Sequence, residues 1–178
     1  LLSLMVSRLK HLRISDTIET VHGRVDYDVP AFMGRMDHFK GLKKLEIALY
    51  DALMPLVGET YRMTLKFGKA KLLLHAPTLF QMAVIKGKKP RLRGGRLVIE
   101  NDEKLTYPFG DPALTSELIK LGNPLNPVDI YKFARRKKLA KVVFDTAHFW
   151  RSFRDEKEKA KIWAEWCGLV GKGQLPIY

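Results

Sequence analysis

Between Thr60 and Phe67 apolar and polar side chains alternate without a break. Tyr61, Met63, Leu65 and Phe67 fall on one side, and Thr60, Arg62, Thr64 and Lys66 on the other. A period of two is the signature of a strand with one buried face. Gly68-Lys69 then offers a tight reversal into a second apolar run, Ala70–His75. Residues 79–86 supply a third predicted strand, Arg96–Glu100 a fourth, and Lys104–Phe109 a fifth that returns at Asn101-Asp102. The expected centre is an antiparallel β-meander within a mixed sheet.

Helices are expected on either side of it. Residues 17–29 first make a half-buried strand, with Val21, Val25, Tyr27 and Val29 opposite His22, Arg24, Asp26 and Asp28, ended by Pro30. Over 37–54 the period changes: Phe39, Leu42, Leu45, Leu49, Leu53 and Leu56 form a helical stripe. Asp37 is its predicted N-cap, and Pro55 and Gly58 its end. Beyond the meander, Asp111-Pro112 starts a helix over 112–121, and Asn126-Pro127 starts another to about Leu139. Val142–Phe144 reads as a short strand, and Thr146 as the cap of a final helix over 147–169. The fold class expected is α+β in a single domain, 1–178. Its order of elements is similar to the layout of ribonuclease H-like folds, a likeness of topology with no motif behind it. The leading catalytic acid of that layout is missing, because 60–67 contains no Asp.

Composition bounds the partners. A chain of 178 residues can bury a core without staples. Its 32 Lys and Arg against 19 Asp and Glu give a net charge of +13. That self-repulsion is relieved by a polyanion, so nucleic acid is the expected partner. One cysteine, Cys167, excludes an internal disulfide or a cysteine zinc site, and it reads as a core residue. No apolar run approaches the roughly 20 residues of a spanning helix, and no membrane partner is expected. Leu1–Val6 is apolar, but Arg8, Lys10 and Arg13 follow it, the reverse of a secretory signal. A cytoplasmic protein is expected. Two Gln and three Asn beside abundant charge match a thermophile composition.

The charge is gathered in two places. Residues 86–96 hold Lys86, Lys88, Lys89, Arg91, Arg93 and Arg96, with no acid. Gly87, Pro90, Gly94 and Gly95 mark this segment as a loop whose backbone can approach an anion closely. Residues 132–141 hold Lys132, Arg135, Arg136, Lys137, Lys138 and Lys141, more than a helix C-terminus needs. Both predict phosphate contacts with little dependence on sequence. Arg8, Lys10, His11 and Arg13 add a weaker third set. Tyr107 and Trp150 are predicted to be exposed stacking residues, which favours single-stranded DNA or RNA, whereas Tyr61, Phe67, Trp163 and Trp166 read as packing residues.

Chemistry is expected only as a divalent-metal nuclease, which gathers three or four carboxylates around Mg or Mn. Its candidate acids are Asp26, Asp28 and Asp145, with Glu100 and Asp102 as the other acids near strands. His11, His22, His38, His75 and His148 have no metal-ligand spacing, and Gly168–Gly173 lacks the Lys-Ser/Thr pair of a phosphate loop. The expectation is therefore a nucleic-acid-binding protein without a resident cofactor, with the nuclease and a structural ribonucleoprotein component as alternatives.

Overall fold

The computed structural model of the chain describes residues 20–22, 43–84, 90–103 and 112–172. In them a four-stranded sheet runs β1 (Thr20–His22), β2 (Lys71–His75), β3 (Leu97–Glu100), β4 (Lys141–Val143), and every pair is parallel. Helix α1 (Lys43–Leu65) connects β1 to β2, and α2 (Ala76–Val84) lies between β2 and β3. Helices α3 (Pro112–Leu121) and α4 (Pro127–Arg136) lie between β3 and β4, followed by α5 (Thr146–Ser152) and α6 (Glu156–Val170). Strand order in space equals strand order in sequence. This is an α/β fold, and the antiparallel meander expected above is wrong.

Two segments account for the error. Residues 60–65 end a long helix, because the buried stripe there is Met54, Val57, Tyr61 and Thr64, at steps of three and four. A threonine occupies a core position in that stripe. It is only 1% exposed, and its hydroxyl donates to the Thr60 carbonyl at 2.8 Å. That polar letter hides the helical period and leaves the alternation of Met63 and Leu65 visible, although Leu65 is 41% exposed. Pro55 sits inside α1, and Gly58 does not stop it. Gly68, with φ near 60°, makes the expected reversal, but at the end of a helix.

The second segment is 79–86. Every residue from Ala76 to Met82 is buried, so α2 has no polar face to reveal its period. A short apolar run of this kind fits a buried strand or a buried helix equally. Several other expectations hold. Strands occur at 71–75, 97–100 and 141–143, and α3 spans 112–121. Asn126 caps α4, accepting from Val128 N. The single final helix is instead two, capped by Asp145 and Asp155, with a break at 153–155. Residues 23–42 and 104–111 lie outside the described residues.

One core cluster unites Leu72, Leu74, Leu97, Ile99 and Val142 with Met54, Val57 and Tyr61 of α1, Phe80 of α2 and Phe133 of α4. In the strand register these five strand residues share one face. Helices α1, α2 and α4 therefore cover the same side. The opposite face carries Leu73, His75, Val98, Glu100, Lys141 and Val143. No described helix is long and apolar enough to cross a membrane.

Candidate active site at the carboxyl edge of the sheet

In an open parallel sheet the strands' carboxyl ends share one edge, and their loops face a common space. Here β2, β3 and β4 each deliver polar chemistry there. β2 ends in His75, β3 in Glu100 with Asn101 and Asp102 behind it, and β4 leads through Phe144 into Asp145 and His148. His75 and Glu100 are register partners and so lie on the same face.

The His75 ring is held between two carboxylates. Nε2 is 3.5 Å from Glu100 Oε2, and Nδ1 is 3.2 Å from Asp102 Oδ2, with the side chain only 9% exposed. Burial alone would lower the imidazole pKa. The hydrogen bonds and negative charge of Asp102 and Glu100 outweigh it and raise the value to about 9. Asp102 moves the other way. Its burial opposes ionisation, but the His75 contact, the Glu103 N–H and the charge of His148 together hold its carboxyl below the usual range. At neutral pH the arrangement is an imidazolium with a carboxylate on each side.

A second imidazole stands beside it. The His75 and His148 rings meet edge to face with centroids 6.1 Å apart. His148 Nδ1 lies 2.9 Å from the Asn101 carbonyl and 3.6 Å from Asp145 Oδ2. A carbonyl only accepts, so Nδ1 bears a hydrogen and donates it to Asn101. Asp145 also caps α5, accepting from His148 N at 3.0 Å. Asn101, 1% exposed, locks the two loops together. It donates to the Asp145 carbonyl and accepts from Asp145 N, each at 2.8 Å. Ser152 Oγ reaches the Asp102 and His148 carbonyls, and Arg151 pairs with Glu103 at 2.8 Å.

Of the proposed catalytic acids, Asp145 is in this cluster. Asp26 and Asp28 lie outside the described residues. Glu100 and Asp102 join it, and both histidines were missed, although each of these strand ends carries a histidine or an acid. Among the described residues no group of three His, Cys, Asp or Glu side chains is placed to hold a metal ion.

The cationic segments lie at the other end of the strands. Gly94–Arg96 is a 3-10 turn leading into β3, and Lys137–Ala140 leads from α4 into β4. They touch: a Cβ on Gly94 would collide with the carbonyl oxygens of Lys137 and Lys138. Arg91, Arg93, Lys132, Arg135, Arg136, Lys137 and Lys138 are exposed, and Lys141 is half-buried. Arg96 donates to the Gly68 carbonyl at 2.5 Å, Arg136 to that of Leu121 at 2.9 Å, and Lys132 pairs with Glu165 at 3.1 Å. Lys86, Lys88, Lys89 and Tyr107 lie outside the described residues, as do Arg8, Lys10, His11 and Arg13. Trp150 is 50% exposed, with the buried Lys159 ammonium over its ring, and Trp166 is buried. Trp163 and Cys167, expected inside, are exposed. No family model, no curated protein and no solved structure matches this chain.

Proposed function

We propose that the protein is an enzyme acting on nucleic acid, hydrolysing phosphodiester bonds at the carboxyl edge of its sheet. The observation that carries this reading is the meeting of two imidazoles at one edge, His75 between two carboxylates and His148 on the Asn101 carbonyl. His75 is held protonated by Glu100 and Asp102, and His148 is oriented by Asn101 and Asp145. In the proposed reaction His148 Nε2 takes a proton from water as the water oxygen bonds to phosphorus. The P–O bond to the leaving oxygen breaks, and His75 gives that oxygen a proton. The Nε2–Glu100 contact, the longer of the two, is the one substrate displaces. The polyanionic substrate is argued from the net charge of +13 and the adjoining cationic segments. Such contacts are made to phosphates and carry no sequence preference.

The other route is a nuclease that depends on a divalent cation, although among the described residues no three ligating side chains stand ready to hold one. The test separates the routes. Labelled single-stranded and duplex DNA and RNA are incubated with the full chain in EDTA, or with Mg, Mn or Zn. Cleavage that His148→Gln and Asp145→Asn abolish, with binding retained, is expected. Cleavage in EDTA assigns proton transfer alone, and cleavage only with added cation assigns the metal route.

The second reading is binding without chemistry, preferentially of single strands. It is favoured by the joining of the two cationic segments at the edge opposite the cluster. Salt-dependent binding with no cleavage under any of these conditions would leave it as the whole function.

A further inference from the structure

The cations of the second cationic segment divide between two places. Lys137 and Lys138, just past the end of α4, meet the Gly94 turn. Lys132, Arg135 and Arg136 stand three and four residues apart on one face of α4, and with Lys120 of α3 they line a separate cleft. Its apolar lining comes from Ile119 and Leu121 of α3, Tyr131 of α4 and Leu169 of α6. The cleft holds about 760 Å³, within the roughly 300–1,000 Å³ of small-molecule sites.

Helix ends account for only part of this charge. Arg135 and Arg136 fall in the last turn of α4, where cations complement the dipole, but Lys132 lies a turn earlier. Arg136 Nη2 donates to the Leu121 carbonyl at 2.9 Å, which fixes the guanidinium between α3 and α4 with further N–H groups to give. Arg135 is exposed and has no carboxylate partner among the described residues. Lys120 pairs with Glu117 and Lys132 with Glu165, exposed pairs of a kind that contributes little and yields to a phosphate. The one carboxylate lining the cleft, Asp129, is occupied in accepting from Asn123 N at 2.9 Å.

We propose that this cleft binds a nucleoside phosphate, with its phosphates on Lys132, Arg135 and Arg136 and its ring against Ile119 and Leu169. The inference does not rest on the hydrolysis. Inorganic polyphosphate would gain nothing from the apolar lining, and a neutral ring compound nothing from the guanidiniums. A ligand that carries both groups gains from both, and one such molecule matches the volume. A nucleotide reaches the cleft either free or as the phosphorylated end of a strand.

Binding of ATP to the full chain is measured by titration calorimetry beside adenosine, tripolyphosphate, a 5′-phosphorylated oligothymidylate and phosphatidylserine vesicles. ATP is expected to bind at least about tenfold more tightly than adenosine or tripolyphosphate. Arg135→Gln is expected to weaken ATP about tenfold, and Ile119→Ser to bring its affinity down toward that of tripolyphosphate. Both side chains are exposed, Ile119 by 65%, so neither change disturbs the core. Competition between ATP and the oligothymidylate, with both weakened by these variants, supports the strand end as the source. ATP binding without competition supports the free nucleotide. Equal affinity for ATP and tripolyphosphate, ATP binding that neither variant moves, or preference for the vesicles overturns the proposal. Salt-dependent binding of the oligothymidylate with no binding of ATP also overturns it, and leaves the nucleic-acid reading standing.

Discussion

The proton on His75 ties the chemistry of the site to the stability of the fold. Its folded pKa of about 9 lies above the ordinary 6.5, so the folded state holds this proton more tightly than the unfolded chain. The linked stabilisation is complete below pH 6.5 and is lost as pH rises through about 9. It amounts to about 3 kcal/mol at most. Asp102 contributes with the opposite sign, its share being present above its ordinary pKa of 3.8 and lost as pH falls below it. Urea denaturation at a series of pH values should therefore show stability falling between pH 6.5 and 9, and His75→Gln should flatten that limb. Asn101→Ala strands the N–H of Asp145, whose carbonyl keeps its bond from Phe149 N at 3.1 Å. A loss of about 1–3 kcal/mol is expected from one unpaired, partly buried group, measured by the same denaturation.

At the scale of the element, α1 makes a prediction of its own. The Thr64 hydroxyl bonds within its own helix, so Thr64→Val removes no partner from elsewhere. Stability should change by less than about 1 kcal/mol, because the core position itself is apolar. Gly94→Ala is different, since the added methyl meets two backbone carbonyls. It should cost about 1–3 kcal/mol and lower oligonucleotide affinity by parting the two cationic segments. These two sites also explain what was legible in the sequence. Caps and breakers are local chemistry, and so Asn126-Pro127, Pro112 and the short runs 71–75 and 97–100 could be read directly. The character of 60–65 depended on which side chains the sheet would bury, and a core threonine concealed it. With that helix and α2 read as strands, the βαβ alternation vanishes, and with it the rule that sends the ends of β2, β3 and β4 to one edge. Glu100, Asp102 and Asp145 were visible as acids, but their meeting with His75 and His148 needed the parallel order.

At the scale of the molecule, among the described residues, the His75–His148 cluster and the two cationic segments occupy opposite ends of the strands. From Leu97 to Glu100 is about 10 Å at the rise of a parallel strand. On the proposed reading, a bound single strand runs along the sheet to reach both. Replacing Arg91, Arg93, Lys137 and Lys138 together by Ala should reduce the salt slope of binding by up to about 3, at about 0.7 per phosphate contact. The site's own variants should leave that slope alone, which fluorescence anisotropy across a salt series will check.

The agreement between spatial and sequential strand order bears on how the chain assembles. Each strand needs only the one before it, so the sheet can grow by accretion of successive units with no distant segment to wait for. The least separated register is Leu72 with Leu97, 25 residues apart, against 51 for Thr20 with Lys71 and 43 for Val98 with Lys141. Its closure entropy is the smallest of the three, which makes β2–α2–β3 the natural nucleus. Substitutions there should slow refolding, whereas those in β4 and α6 should mainly hasten unfolding.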